Sequence, residues 1–302
     1  MSENAVKSKE SNRTTSKKVW LVPVIIVCAL AIFCFATWLF TPFFMVNPTF
    51  NEDAYNELQN VPEAHWLTLD NGGVGGAEEI SGWILQLRFF VAGNEQAMED
   101  RPLLLYFGGI NEDASTAILK FYKLWQNGCL VNCDIACLDW PGYGKNKGLP
   151  TDESLRQCAA GLLYQLKNGD EFHYDKIYVL GYSMGTGPAT YAASVCGCDG
   201  LILLAPYESS TDLYNSVTPV FYGPLKGLLR YRMETGEYAS KCSMPVTIIA
   251  CKDDKRVPFE SSKKLAEDFA GRSPAFYEFS GISHGDLPSA SEVINLIEEA
   301  TR

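Results

Sequence analysis

The sequence predicts an α/β domain: a mostly parallel, doubly wound sheet of eight strands with a minimal cap, preceded by one transmembrane helix. Three observations predict it. Short apolar strand candidates alternate with helix candidates along the last 250 or so of 302 residues. One such strand runs straight into a helix through Gly181-Tyr182-Ser183-Met184-Gly185. Residues 19 to 51 contain no charged side chain at all.

The first 18 residues are polar and are expected to form a disordered basic tail. The anchor is assigned to residues 19–46. Val19 to Phe40 supplies 22 predominantly apolar residues, which at about 1.5 Å per residue span a hydrocarbon core of about 30 Å. Pro23 is expected near the first turn, where a missing N–H costs least. A cleaved signal peptide would have an apolar stretch of only about 7 to 15 residues ending in small ones. Here the run ends in Phe40-Thr41-Pro42-Phe43-Phe44, and neither Cys28 nor Cys34 follows the small residue a lipoprotein cysteine needs. Lys7, Lys9, Arg13, Lys17 and Lys18 precede the span, and Glu52, Asp53, Glu57 and Glu63 follow it. Positive flanks stay inside, so the N-terminus is expected in the cytoplasm and the rest of the chain across the membrane.

Residues 47–302 are expected to form one domain. Strands are expected near 66–70, 80–91, 102–107, 133–139, 175–181, 200–205, 245–251 and 275–279, and helices near 113–126, 152–167, 184–195, 259–270 and 288–300. Gly72-Gly73-Val74-Gly75-Gly76 lacks the Lys-Ser/Thr of a phosphate loop and reads as a hairpin turn. No repeat or low-complexity block interrupts the pattern. About 39 residues separate Ala205 from Pro245, too few for a large lid. They read as short helices, some of whose side chains wall a groove beside Ser183.

A G-x-S-x-G between strand and helix is a nucleophile elbow, so Ser183 is the candidate nucleophile. Such a serine needs a base, and the base an orienting acid. Only three histidines are present. His65 opens an early strand, and His173 precedes the strand that leads to Ser183, at its wrong end. His284 follows a late strand in Ser280-Gly281-Ile282-Ser283-His284-Gly285-Asp286 and is the candidate base. The acid belongs between serine and histidine in chain order. Lys252-Asp253-Asp254-Lys255-Arg256-Val257-Pro258 follows a buried strand candidate there and offers two adjacent aspartates.

These blocks resemble the α/β-hydrolases, in particular small membrane-anchored hydrolase-domain proteins related to serine aminopeptidases, monoacylglycerol lipases and depalmitoylases. Leu103 to Ile110 resembles the third strand entering the oxyanion loop. Asp139-Trp140-Pro141-Gly142-Tyr143-Gly144 to Thr151 resembles the D-x-R-G-Y-G-x-S-x-G-x-P block. An acid three residues before Val-Pro matches Asp254, which leaves Asp253 as a loop charge. Oxyanion donors are then the backbone N–H groups of Met184 and Ile110. The chain departs from the family in reading Gly108-Gly109-Ile110 for H-G-N, Pro141 for arginine and Asn146 for serine, the last two read as structural.

The resemblance implies a serine hydrolase acting on carboxylic esters or thioesters of lipid-like or acylated substrates, without metal or organic cofactor. Two other readings stay open: a peptidase, which needs an anionic pocket for a free amine, and a non-catalytic binding module. Beyond the tail, 20 basic residues face 34 acidic ones, a net charge of −14 that argues against a nucleic-acid partner. Ten cysteines show no disulfide-scaffold pattern. Cys129, Cys133 and Cys137 have a metal-like spacing but no histidine beside them, and Cys133 and Cys137 read as buried core thiols. Nothing in the sequence sets an oligomeric state.

Overall fold

The computed structural model describes residues 3–86, 101–169, 174–269, 271 and 273–302. Helix α1 (Glu3–Phe40) runs into the short α2 (Pro42–Met45). Within them Leu21–Met45 is, among the described residues, the one stretch long and apolar enough to cross a membrane. Most of its side chains from Leu21 to Phe40 are exposed, with Ile32 and Phe35 each more than half exposed, whereas Thr41 and Met45 at its end are buried. Two expectations change here. The polar tail from Glu3 is helical rather than disordered, and Pro23 therefore lies inside α1 instead of in a first turn. No glycine or proline precedes Pro23 in the tail, and a helix once formed propagates at one hydrogen bond per residue fixed.

Helix α3 (Glu52–Leu58) follows an extended segment and is capped by Asn51, whose side chain accepts the Ala54 N–H at 3.1 Å. Then come β1 (Ala64–Asp70) and β2 (Glu79–Leu85), joined through a 3-10 turn at Val74–Gly76. They pair antiparallel, as the glycine-rich hairpin predicts. The strand expected to run to residue 91 ends at Leu85, and most of its further extent lies outside the described residues. The chain continues with β3 (Leu103–Phe107), α4 (Ala114–Gln126), β4 (Asp134–Leu138), α5 (Asp152–Asn168), β5 (Ile177–Tyr182) and α6 (Thr186–Cys196). After β6 (Gly200–Leu204) come α7 (Ser210–Val217), a 3-10 turn at Gly223–Leu228 and α8 (Thr235–Ala239). These short elements are the small cap. The domain closes with β7 (Val246–Cys251), α9 (Phe259–Asp268), β8 (Ala275–Phe279) and α10 (Ser291–Ala300).

The eight strands form one sheet in the order β1-β2-β4-β3-β5-β6-β7-β8, parallel except for the pairings of β2 with β1 and β4. Strands β3 to β6 are buried along their whole length, which is why they read as unbroken apolar runs rather than alternating ones. Register does the functional work. Phe107 lies opposite Gly181, Tyr182 opposite Leu204, and Cys251 opposite Phe279. The C-terminal ends of β3, β5, β6, β7 and β8 therefore share one edge, and every loop that leaves them opens on the same side of the sheet.

Candidate active site

Ser183 sits immediately after β5 with φ = +52°, a left-handed backbone that a non-glycine residue adopts only when its surroundings hold it there. Glycine on either side makes the turn possible by absence of a side chain. A Cβ on Gly185 would lie 2.1 Å from the Phe107 carbonyl oxygen, and one on Gly181 would lie 2.8 Å from Cα of Thr186. The helix expected from residue 184 begins with a 3-10 turn at Ser183–Gly185 before α6, and the Ser183 carbonyl accepts the Thr186 hydroxyl at 2.7 Å.

The structure brings three of the predicted side chains into one line. His284 Nε2 lies 2.9 Å from Ser183 Oγ, and His284 Nδ1 lies 2.6 Å from Asp254 Oδ2. The other Asp254 oxygen, Oδ1, accepts the backbone N–H groups of Arg256 at 2.7 Å and Val257 at 3.0 Å. Burial by itself would raise this carboxyl. The hydrogen bond and charge of His284 and the two N–H donors outweigh it and hold Asp254 below its ordinary value. An ionised Asp254 accepts from Nδ1–H, which leaves the Nε2 lone pair facing the serine hydroxyl. Asp253 points elsewhere and accepts the Gly281 N–H at 2.8 Å, tying the β7 loop to the loop that carries His284. His65 is exposed on β1 at the far edge of the sheet, and His173 lies outside the described residues.

Two recesses meet at Ser183. One has about 660 Å³ of empty space and a mostly apolar lining: Phe44, Met45, Ile110, Met184, Leu213 and Val217. The other, about 650 Å³, is polar and includes Asn111, Glu112, Lys120, Tyr182, Arg256 and His284. Ile110, one of the two expected oxyanion donors, borders both, and Met184 borders the apolar one. Pro141 and Asn146 do not reach the serine. Asn146 is buried, donates to the carbonyls of Asp139 and Ser81 at 2.6 and 3.1 Å, and accepts from Ser81, so it stitches the loop after β4 to β2.

Several supporting groups escaped sequence reasoning. The Tyr182 hydroxyl donates to the His284 carbonyl at 2.7 Å, and the two rings lie 5.2 Å apart. Its position inside the Gly-Tyr-Ser-Met-Gly motif was the available signal. Tyr143 donates to the Ile110 carbonyl at 3.0 Å from within the quoted Pro-Gly-Tyr-Gly block. Phe44 and Met45 carried no signal at all, since they read as the tail of an anchor. The ten cysteines, all among the described residues, are free thiols. Burial pushes Cys133, Cys158, Cys198 and Cys242 up to about 12, far from thiolate chemistry.

A family model described as the alpha/beta hydrolase fold matches residues 102–221. Protein ABHD12B of Homo sapiens is 29% identical over 191 residues, 57% of this chain and 51% of that protein. Lysophosphatidylserine lipase ABHD12 of Danio rerio is 24% identical over 227 residues, 67% of this chain and 58% of that protein. The chain thus spans about half the length of the curated relatives it matches. Among solved structures, an alpha-beta hydrolase from Vibrio vulnificus superposes with a TM-score of 0.62 at 18% identity, covering 83% of this chain and 86% of that one. An esterase of Pyrococcus furiosus does so with 0.61 at 16% identity, covering 84% and 96%. At these identities the superpositions speak for the fold alone. Strand order, the turn at Ser183 and the family match agree: this chain has the α/β-hydrolase fold and is similar to proteins of that superfamily.

Proposed function

We propose that this chain is a membrane-anchored serine hydrolase that cleaves carboxylic ester or thioester bonds of lipid-like or acylated substrates. The observation that carries the reading is the unbroken contact from Ser183 Oγ through both nitrogens of His284 to Asp254. In this mechanism His284 takes the serine proton as Oγ attacks the carbonyl carbon. Asp254 holds the ring in the productive tautomer and stabilises the imidazolium. The N–H groups of Met184 and Ile110 receive the developing oxyanion, each donor typically worth about 3–4 kcal/mol. Protonated His284 passes its proton to the leaving alcohol or thiol. Water, activated by His284 in turn, then releases the acid from the acyl-enzyme. Protein groups and water balance both half-reactions.

The apolar recess suits an acyl chain and the polar one a hydrophilic leaving group. A relative named as a lysophosphatidylserine lipase supports an ester bond as the target. A peptidase would need a carboxylate free to meet an α-amine. Glu112, in the polar recess, is instead engaged by the Tyr106 hydroxyl and Lys120, both at 2.5 Å. The anchor reading rests on the length and composition of Leu21–Met45, and the placement of the catalytic domain outside the cytoplasm on the charges that flank it.

Fluorophosphonate labelling of the full-length protein in membranes tests the nucleophile. Labelling should be complete in wild type and absent in Ser183→Ala of equal thermal stability. A panel of p-nitrophenyl esters, acyl-thioesters and short peptides then separates the substrate classes. A folded wild type that takes no label would sink the enzyme reading and favour a binding module.

A further inference from the structure

We propose that the segment leaving the membrane helix, Thr41 to Asn47, is a working part of the active site rather than a tether. It forms one wall of the acyl groove and holds the oxyanion loop. The proposal rests on the reading of Ser183 as nucleophile.

The wall is seen directly. Phe44 and Met45 face Leu213 and Val217 of α7 across the apolar recess that reaches Ser183. Met45 and Val46 are buried in the same core as the sheet, so this stretch is folded into the domain. Its seating on the cap is specific. The Thr41 carbonyl accepts the Tyr214 hydroxyl at 2.8 Å, and the Arg230 N–H donates to Thr41 Oγ1 at 3.3 Å. The Arg230 guanidinium stacks 4.4 Å from the Trp38 ring, and Phe44 lies 5.2 Å from the Tyr214 ring.

The hold on the oxyanion loop is a short relay. The Asn47 N–H donates at 2.8 Å to the Tyr143 hydroxyl, which donates in turn at 3.0 Å to the Ile110 carbonyl. Tyr143 is fully buried, and burial pushes its hydroxyl up to about 12, so it stays a neutral donor at any working pH. Beside it the Asn47 side-chain amide donates to Asn111 Oδ1 at 2.7 Å. Two successive residues of the loop, Ile110 and Asn111, are thus fastened to the same residue of the exit segment. This supplies rigidity that the Gly108-Gly109 pair lacks by itself.

The groove also opens toward the phase that holds the anchor. Phe43, Phe44, Val217, Val220, Tyr222 and Leu225 are exposed apolar side chains, and the turn at Gly223–Leu228 packs against α1. A membrane surface continuous with α1 is the occupant this rim fits, and a single long acyl chain of a lipid in that bilayer is the ligand it would admit.

The test uses full-length protein in vesicles of neutral phospholipid, with p-nitrophenyl esters of short and long chain. Tyr143→Phe should slow fluorophosphonate labelling and lower kcat by about ten- to a hundredfold on both esters, with KM little changed. Phe44→Trp, which narrows the groove, should lower the long-to-short ratio of kcat/KM by about tenfold. A Tyr143→Phe protein that labels at the wild-type rate overturns the relay. A Phe44→Trp protein with wild-type melting and an unchanged ratio overturns the wall. Should Tyr143→Phe not fold, Asn47→Pro deletes the donor N–H at an exposed position and is read the same way. Failure of wild type to label would instead sink the nucleophile reading, so the two ideas fail separately.

Discussion

The polar and apolar sides of Ser183 are built in different ways. On the polar side, His284 and Asp254 leave the C-terminal ends of adjacent parallel strands, and register alone brings them to the serine. On the apolar side, Ile110 and Met184 at strand ends are joined by α7 and by residues 44–45, which belong to no strand and lie more than 130 residues before Ser183. One half is scaffolded by backbone hydrogen bonds and tolerates few side chains. The other is scaffolded by side-chain packing and a handful of polar contacts. Under the proposed function, chemistry falls to the rigid half and selectivity to the half that substitution can reshape.

The largest test of this contrast is Asp254→Asn, which leaves the shape intact but presents the wrong hydrogen-bonding partner to Nδ1. Hydrolysis should fall by about 10⁴-fold, equally for short and long acyl esters. Unequal losses would show that the two halves are not separable. Next comes Val217→Trp on the rim of the apolar recess, where the side chain is largely exposed and a larger one is tolerated. It should raise KM for long-chain esters by about tenfold and leave kcat for short ones within about twofold. Tyr182→Phe removes only the hydroxyl that holds the His284 carbonyl. At about 1 kcal/mol for such a bond, kcat should drop about fivefold for every chain length.

The smallest effect on rate belongs to Asp139, behind the oxyanion loop, whose carboxylate accepts the Ala114 N–H at 2.7 Å. Burial raises this carboxyl to about 7 from 3.8, against the lowering effect of that bond. The folded state then holds its proton more tightly than the unfolded chain does. Its contribution to stability is full below about pH 3.8 and is lost as pH rises through about 7. Asp139→Asn keeps the acceptor and should flatten that part of a melting-temperature profile between pH 4 and 8. An unchanged profile would show that the carboxyl is ionised in the fold without cost.

Much of the catalytic half was legible in the sequence because its signals are local. A strand, a left-handed serine and a helix must be adjacent in the chain, so Gly181 to Gly185 announces itself in five letters. An acid and a base must follow β7 and β8, so chain order narrows three histidines to His284 and leaves two adjacent aspartates, between which the resemblance to the family's acid loop selects Asp254. Strand length and apolar runs likewise placed the strands within a few residues, β2 apart, most plainly β3 to β6, where strands buried along their whole length have no polar face to blur the pattern.

Helix boundaries were less legible. The sequence suggested a break between the polar tail and the anchor, whereas helix propagation carried α1 back to Glu3 and enclosed Pro23. Composition, the approximate positions of the strands and the chain order of the candidate site residues were therefore readable from the sequence by itself. What only the tertiary structure decided is the apolar side: that Phe44 and Met45 turn back from α1 to face Leu213, and that Asn47 reaches Ile110 through Tyr143. The physical reason is distance along the chain. Contacts between residues 41–47 and residues 143 or 214 leave no periodicity, spacing or turn chemistry to read. They exist only once the sheet has formed and given both segments a common surface to pack on.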